Sequence, residues 1–292
     1  MEAKEQLTLY NIRSKDSLVQ PFLKWAGGKR QLLPFIRKYL PKNFNIYFEP
    51  FLGAGAVLFD LQPEKAFIND LNEELINCYK VIKYFPDELL NSINKHINTE
   101  DYYYKIRQLD RIKNYFGLSD IEKASRIIYL NKTCYNGLFR VNSKGHFNTP
   151  FGNYKNPKII QKSTIYAINR FLNINNIEIL NVDFEEAVYN ANKEDFIYFD
   201  PPYDPISITS SFTGYNLDRF NKNEQTRLQK VIKKLTWKGC KIMLSNSSTD
   251  FIKNLYNDFN IISVPANRSI NSNGEGRGKI EEYLIINYDP DK

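Results

Sequence analysis

The chain has 292 residues and a net charge of +7, with 42% hydrophobic and 25% charged residues. This composition is typical of a globular protein, and the length allows one large domain with a substantial insertion. No stretch approaches the roughly 18 consecutive apolar residues of a membrane span, and residues 1–20 are polar, without the apolar core of a secretion signal. We therefore expect a cytoplasmic protein with a loosely held polar leader at 1–20.

Cysteine and histidine are too few to favour disulfide or metal chemistry. The three cysteines are scattered and odd in number, and the two histidines are far apart in sequence: Cys78, Cys134, Cys240, His96 and His146. This pattern predicts buried thiols in a reducing compartment, with neither a disulfide framework nor a zinc knuckle. We expect no metal site.

Positive charge is concentrated in the middle of the chain. Residues 101–170 hold 13 Lys or Arg against 4 Asp or Glu, a balance of +9. Between residues 123 and 177 there is no carboxylate, and Asn, Tyr and Phe alternate with the cations. Such a stretch favours a phosphate-backbone partner with aromatic rings available for stacking, although a solvated basic face has the same composition.

The first motif along the chain is FLKWAGGK, at residues 22–29. It is not a phosphate-binding P-loop, because the first glycine is missing and Arg30 replaces the required serine or threonine. Its two glycines permit a close backbone approach, Trp25 offers a flat ring and Lys29 offers a cation. The motif fits a small ligand with an aromatic ring and a carboxylate, or a tight turn into a helix over 30–40.

The second motif follows a short strand predicted over 46–49. Glu49 is followed by the loop PFLGAGA and by a helix from about Val57, which is a nucleotide-binding arrangement. Asp70 stands 21 residues after Glu49, at the end of the next predicted strand, where it can accept both ribose hydroxyls. Leu58 replaces the third glycine of the dinucleotide fingerprint, which weakens the case for a pyrophosphate. An adenosine ligand without phosphates is S-adenosylmethionine.

Strands and helices alternate on both sides of the basic stretch. Apart from the elements given above, the sequence pattern predicts strands at 66–68, 177–180, 196–199, 241–244 and 283–287. It predicts helices at 71–84 and 225–235. This order predicts an α/β fold with a mostly parallel, doubly wound sheet. We expect a catalytic unit in two parts, 21–85 and 171–292, interrupted by a smaller inserted unit at 86–170.

The most informative motif is FIYFDPPY, at residues 196–203. A buried strand ends in Asp200, and the two prolines have no backbone N–H and a fixed φ. Carbonyls and a carboxylate therefore point beyond the strand end, where open α/β sheets bind ligands. A rigid acceptor cluster beside the Tyr203 ring suits the amino group of a planar base, although two prolines also mark a surface turn.

These motifs, in this order, resemble the Dam-type DNA adenine methyltransferases of the DPPY alpha group over residues 21–287. The resemblance extends to five flanking segments: YNGLFRVN (135–142), FNTPFGNYKNP (147–157), DPISITSSFT (204–213), LSNSS (244–248) and RSINSNG (268–274). It implies a Rossmann-like class I methyltransferase fold, in which the mainly helical insertion recognises DNA. It also implies transfer of a methyl group from S-adenosylmethionine to N6 of an adenine, leaving S-adenosylhomocysteine.

The resemblance implies roles for individual residues. Cofactor contacts are expected from Trp25, Lys29, Phe51, Gly53, Gly55, Asp70 and Asp200. Catalytic contacts are expected from Asp200, Pro201, Pro202 and Tyr203, with Asp200 and the Pro201 carbonyl accepting the two N–H bonds of the adenine and Tyr203 stacking on it. DNA contacts are expected from Lys24, Tyr135, Asn136, Leu138, Arg140, Asn142, Pro150, Arg268, Arg277 and Lys279.

Within the DNA set, the resemblance assigns guanine recognition to Arg140, apolar base contacts to Leu138 and Pro150, and a wedge to Tyr135. Relatives of this type act at GATC, so we expect duplex DNA as partner and GATC as site. A cognate restriction endonuclease acting at the same site is a further possible partner. The target atom lies inside the duplex, so the base must be flipped out at a cost of about a few kcal/mol.

Several alternatives stay open at this point. Arg140 is equally suited to a phosphate contact, Tyr203 to capping a strand, and Lys24 to supporting its own loop. The segment 267–279 is either a phosphate clamp or a hairpin tip. The rival functions are methylation of another amino group, on cytosine, RNA or a protein glutamine, and DNA binding by a relative without catalytic activity.

Overall fold

A computed structural model describes residues 15–25, 27, 29–205, 220–267 and 279–291 of the chain. The side chains at 114, 267, 279 and 280 are outside this description. Three predicted DNA contacts are affected: Arg268 and Arg277 lie outside the described residues, and Lys279 is described by its backbone alone. Most of the predicted leader and the segment 206–219 after the DPPY motif also lie outside.

The described residues form helices and strands in alternation. The helices are α1 (Leu33–Tyr39), α2 (Ala56–Leu61), α3 (Glu73–Tyr84), α4 (Pro86–Ile93), α5 (Glu100–Arg107), α6 (Asp120–Thr133), α7 (Lys162–Ile174), α8 (Phe184–Ala187), α9 (Lys222–Trp237) and α10 (Asp250–Leu255). The strands are β1 (Tyr47–Glu49), β2 (Lys65–Asn69), β3 (Asn176–Leu180), β4 (Phe196–Phe199), β5 (Lys241–Ser247), β6 (Asn260–Asn267) and β7 (Lys279–Ile286).

The strands form one sheet in the order β3-β2-β1-β4-β5-β7-β6. The pairs from β3 through to β5 are parallel, whereas β7 is antiparallel to both β5 and β6. The chain winds outward from β1 to β3 and then returns to place β4 on the other side of β1. The fold is therefore a mostly parallel, doubly wound α/β fold, as predicted, and its topological switch point lies between β1 and β4.

The central strands are buried on both faces, which explains their continuous apolar sequences. All four residues of β4 are buried. Phe196 and Tyr198 belong to the hydrophobic cluster on one face of the sheet, and Ile197 and Phe199 belong to the cluster on the other. This alternation follows from the two-residue period of a strand, and it fixes Asp200 at the carboxyl end of a rigid element.

The insertion is mainly helical and packs closely on the rest of the chain. Helix α6 begins with a capping box in which Ser119 and Glu122 bond each other's backbone N–H groups. On its inner face, Ile127 belongs to the same cluster as the sheet residues, while Tyr129 belongs to a smaller cluster formed within the insertion. The division of the chain at residues 86 and 170 stays a prediction.

Candidate active site

The carboxyl ends of β4 and β5 bring a short chain of hydroxyl groups to Asp200. The register pairs Phe199 with Leu244, so the next residues, Asp200 and Ser245, are neighbours. Ser245 Oγ lies 2.9 Å from Asp200 Oδ1, and Tyr198 Oη lies 2.9 Å from Ser245 Oγ. Since Ser245 donates to the carboxylate, Tyr198 donates to Ser245, and both hydroxyl protons point toward Asp200.

A lysine ammonium group also lies against this carboxylate. Lys29 Nζ is 2.9 Å from Asp200 Oδ1, donates to the carbonyl oxygen of Gly27 at 2.6 Å, and lies 4.5 Å from the centre of the Tyr203 ring. The Tyr203 hydroxyl donates to Glu282 Oε2 at 2.9 Å, which holds the ring in place. Burial raises the pKa of Asp200, and the Lys29 ammonium group opposes that rise.

The residues that follow Asp200 are held by side chains from α9 and β5. Gln225 Nε2 donates to the carbonyl of Pro202 at 2.9 Å, and Asn246 Nδ2 donates to Gln225 Oε1 at 3.1 Å. Asn246 Oδ1 in turn accepts from the backbone N–H of Asp204 at 3.2 Å. Pro201 is buried between these anchors. Residues 200–204, which we call the Asp200 corner, are therefore fixed at both ends.

The glycine loop after β1 is bonded to Asp70. Asp70 Oδ2 accepts from the N–H of Gly53 at 2.9 Å, and Oδ1 accepts from the N–H of Asn72 at 2.9 Å. Gly53 and Gly55 both have a positive φ, of 52° and 68°. A Cβ on Gly55 would lie 2.7 Å from the Tyr79 hydroxyl, so this glycine is required by packing. Asp70 therefore shapes the loop, and its predicted contact with a ribose stays a prediction.

Glu49 is a second buried carboxyl group at the site, and it was not among the predicted site residues. It ends β1, is 2% exposed and accepts from the Tyr47 hydroxyl at 2.8 Å. Burial raises its pKa well above the ordinary value, and the nearby charge of Asp200 acts in the same direction. Its sequence signal was its place at the end of a buried strand before a glycine loop.

A small cleft opens between these groups. It is lined by Trp25, Gly27, Lys29, Glu49, Leu52, Gly53, Ala54, Ala56, Val57 and Asp200. Four predicted cofactor residues thus meet in one place. The ring of Phe51 packs elsewhere, with its centre 5.5 Å from the ring centres of both Phe184 and Phe220.

A second set of predicted residues lies on residues 135–150, which we call the recognition segment. The N–H of Tyr135 donates to the carbonyl of Pro150 at 2.9 Å, so the two ends of the segment are adjacent. Tyr135 is 57% exposed, as a side chain that contacts a partner must be. Asn136 adopts a φ of 55°, and Thr149 Oγ1 donates to the carbonyl of Leu138 at 2.6 Å, which stabilises the turn.

The centre of the recognition segment is a hairpin. Arg140 is exposed, and its Nε donates to Asn148 Oδ1 at 2.7 Å across the hairpin. Asn142 Oδ1 accepts from the N–H groups of Lys144 and His146, both at 3.0 Å, and so forms the turn. Asn142 therefore has a structural role in addition to its predicted DNA contact, while Arg140 is held with its guanidinium group at the surface.

Three cations converge where the recognition segment meets the first motif. Lys132, near the end of α6, is partly buried, and burial together with the charges of Lys24 and Arg30 lowers its pKa to about 8. Lys132 belongs to none of the sequence motifs, although it lies in the acid-free stretch. Mutually repelling cations of this kind favour an anionic partner.

Within the described ranges, no group of three or more His, Cys, Asp or Glu residues is placed to hold a metal ion. All three cysteines are buried free thiols, as predicted. Among the described helices, none is both long and apolar enough to cross a membrane.

Comparison with known proteins gives a family match over most of the chain. Residues 25–270 match the model of the family described as D12 class N6 adenine-specific DNA methyltransferase. The match begins at Trp25 of the first motif and includes the Asp200 corner.

Named relatives are similar over nearly their whole length. The type II methyltransferase M1.LlaDCHI of Lactococcus lactis subsp. cremoris is 47% identical over 95% of this chain and 99% of its own. The type II methyltransferase M.MjaIII of Methanocaldococcus jannaschii is 45% identical over 92% and 99%. A DNA adenine methylase of Haemophilus influenzae is 35% identical over 91% and 93%.

Proposed function

Since this chain belongs to the D12 class of N6 adenine-specific DNA methyltransferases, we propose that its methyl donor is S-adenosylmethionine and its site GATC. The acceptor is the N6 amino group of an adenine flipped out of duplex DNA. The observation that carries the proposal is the geometry at Asp200, where a buried, rigidly held carboxylate already binds an N–H donor, the Lys29 ammonium group, at 2.9 Å.

The residues that line the cleft fit the proposed donor. S-adenosylmethionine carries positive charges on its sulfonium and ammonium groups, and the cleft contains the carboxyl groups of Glu49 and Asp200. Gly53 lets the Trp25 ring lie close to the glycine loop, because a Cβ at this position would lie only 3.2 Å from Trp25 Cδ1. Trp25 and Lys29 stand opposite the loop and complete a site with a flat ring and a cation. We propose that these residues, with Asp70 holding the loop, bind the cofactor.

The Asp200 corner supplies what an adenine amino group needs in order to react. The lone pair of that nitrogen is delocalised into the ring, so the nitrogen is a weak nucleophile. Acceptance of its two N–H bonds by the Asp200 carboxylate and the Pro201 carbonyl moves the nitrogen toward tetrahedral geometry and exposes the lone pair. Most of the rate gain then comes from positioning and electrostatics. Stacking on Tyr203 contributes about 1–3 kcal/mol toward the cost of flipping.

Bound S-adenosylmethionine supplies an electrophilic methyl group on sulfur and leaves as S-adenosylhomocysteine. The carbon–nitrogen bond forms as the carbon–sulfur bond breaks, and the extra proton on nitrogen leaves after transfer. Asp200 is therefore needed as an ionised hydrogen-bond acceptor rather than as a base that acts first.

The recognition segment is the proposed reader of the DNA sequence. Arg140 stands exposed beside Leu138, and Tyr135 stands beside Pro150, so the four side chains proposed to contact bases share one segment. The cations Lys24 and Lys132 are proposed to lie along the phosphate backbone. The name type II methyltransferase, carried by two of the relatives, supports a cognate restriction endonuclease as a functional partner.

One experiment tests the substrate, the donor and the site together. Unmethylated plasmid is incubated with the protein and S-adenosylmethionine, sequenced by a method that detects modified adenines, and digested to nucleosides. We expect N6-methyladenine in GATC, and a loss of at least about 100-fold in rate for Asp200→Asn. Asp258→Asn, in an exposed ion pair with Lys233, is the matched control and should keep full activity. Methylated cytosine, or methylated adenine at another sequence, would refute the corresponding part of the proposal.

A further inference from the structure

We propose that Phe139 couples the cleft to the recognition segment, so that cofactor and cognate DNA each raise the affinity for the other. This inference rests on the proposed function, because it assigns the cofactor to the cleft and the DNA to residues 135–150. Phe139 would act as a positioning residue, without touching either ligand's reacting atoms.

A buried asparagine connects the first motif, which lines the cleft, with the recognition segment. Asn131 on α6 is fully buried, and its Oδ1 accepts from the N–H of Lys24 at 2.9 Å. Its Nδ2 donates to the carbonyl of Lys24 at 2.7 Å and to the carbonyl of Gly137 at 3.1 Å. One side chain therefore bonds the first motif and the recognition segment at once.

The close approach of the two segments depends on a glycine. Gly137 has a φ of 65°, and a Cβ there would lie 2.4 Å from Cδ of Lys24. No other residue type fits this position without moving Lys24. The two segments are thus in direct contact as well as joined through Asn131.

Phe139 extends this contact into the cleft. Its ring stacks on that of Trp25, with ring centres 4.7 Å apart and an angle of 24° between the planes. Its other neighbour is Phe147 on the far strand of the hairpin, in an edge-on contact at 5.6 Å and 72°. Trp25 lines the cleft, whereas Phe139 lies directly between Leu138 and Arg140. The pair is therefore shared by both sites.

A shared ring pair couples two sites because each ligand restricts the same element. A cofactor that packs on Trp25 holds the ring on which Phe139 rests, and DNA that holds Leu138 and Arg140 restricts the Phe139 backbone. The ring pair is then already ordered when the second ligand binds, so that ligand's binding costs less conformational entropy. Ring pairs of this geometry change an equilibrium constant by about twofold to tenfold, and coupling is by necessity reciprocal.

The test is a double titration of the full chain, with S-adenosylhomocysteine as a probe that cannot react. Its Kd is measured by calorimetry alone and in the presence of a saturating short duplex with one GATC site. We expect a ratio of about five or more for the unmodified chain. The ratio should fall toward one in Phe139→Leu, which keeps an apolar side chain but removes the ring, and should persist in Phe139→Tyr, which keeps the ring.

Phe116→Ala is the matched control, since Phe116 is an aromatic residue of the insertion that is 87% exposed and far from Trp25 in sequence. It should keep the ratio of the unmodified chain. A ratio of one in the unmodified chain, or an unchanged ratio in Phe139→Leu, would overturn the coupling while leaving methylation of GATC intact. If the unmodified chain binds neither probe, the proposed function fails and the coupling fails with it. A ratio of one in the unmodified chain overturns the coupling even if one of the variants does not fold, and a ratio kept in Phe139→Tyr supports the role of the ring even if Phe139→Leu does not fold.

Discussion

Lys29 Nζ lies 2.9 Å from Oδ1 of Asp200, and it also contacts the Gly27 carbonyl and the face of the Tyr203 ring. The same carboxylate and the same ring are the proposed partners of the flipped adenine. Lys29 and Ser245 both contact Oδ1 of this carboxylate, so among the described contacts Oδ2 is the oxygen left to accept an N–H bond of the base. Lys29 favours the ionised form of the carboxylate, which is the form that accepts the hydrogen bond.

Replacing this lysine should shift the acid side of the pH profile. The positive charge of Lys29 lowers the pKa of Asp200 against the effect of burial, which raises it. In Lys29→Met the pKa of Asp200 should rise further, so a smaller fraction of the carboxylate is ionised at a given pH. We expect single-turnover methylation at saturating cofactor to begin its acid decline at a higher pH than in the unmodified chain. Lys233→Met, at the surface, should leave the profile unchanged, and an unmoved decline in Lys29→Met would contradict the assignment.

The second prediction concerns Glu49 and the stability of the fold without ligands. Burial raises its pKa well above the ordinary value. A carboxyl group with a raised folded-state pKa contributes stability that is fully present below its unfolded pKa and is lost as pH rises through the folded pKa. Glutamine cannot ionise, so Glu49→Gln should become more stable relative to the unmodified chain as pH rises. Urea unfolding across the neutral range measures this difference, and a constant difference would contradict it.

Glu49→Ala separates the charge of Glu49 from its hydrogen bond. The Tyr47 hydroxyl donates to Glu49 at 2.8 Å. Alanine leaves that buried hydroxyl without its partner, which costs about 1–3 kcal/mol. Alanine cannot ionise either, so we expect Glu49→Ala to follow the pH dependence of Glu49→Gln but to be less stable than Glu49→Gln by that amount at each pH.

The sequence was sufficient to predict the central strands and the order of the motifs. The apolar run before Asp200 is strand β4, and the predicted strand at 283–287 overlaps β7, which begins four residues earlier and ends one residue earlier. Strand β6 was missed, because Asn260–Asn267 contains Pro265 and lacks a clear alternation. It pairs with β7 at one edge of the sheet, where a proline without an N–H is tolerated.

The supports of the site were not predictable in the same way. Ser245 lies 45 residues from Asp200 in the chain and meets it only because β4 and β5 are adjacent. Gln225 holds the Pro202 carbonyl from a helix whose sequence looks like any amphipathic surface helix. Such contacts depend on tertiary proximity, for which a single sequence carries no local signal. The stacking of Phe139 on Trp25 is of the same kind.

Arg140 is expected to determine specificity at one base pair. Its Nε donates to Asn148 Oδ1 at 2.7 Å and its Nη2 donates to the Asn148 carbonyl at 3.4 Å, which holds the exposed side chain in place on the hairpin. A bidentate contact with guanine discriminates by about 1–3 kcal/mol. Arg140→Ala should therefore lower kcat/KM on GATC much more than on duplexes with that guanine replaced. Asn148→Ala, which removes only the support, should have a smaller effect of the same kind. An equal loss on every duplex would make Arg140 a phosphate contact.

The last prediction concerns Lys132, whose pKa burial and the charges of Lys24 and Arg30 lower to about 8. A DNA phosphate beside it favours the charged form, so DNA binding takes up a proton above that pH. We expect DNA affinity to fall as pH rises through about 8, and Lys132→Met to lose this dependence and reduce the salt slope by about one. The folding stability of the free protein should change with pH in the opposite direction to its DNA affinity. Between pH 8 and the ordinary pKa of lysine, the unfolded chain binds more protons than the folded chain, so folding stability rises with pH in that range. Lys193→Met, outside the insertion, is the control and should keep the dependence of DNA affinity on pH and on salt. Anisotropy titrations at several pH values measure both. If they show no difference between Lys132→Met and Lys193→Met, Lys132 does not contact a phosphate.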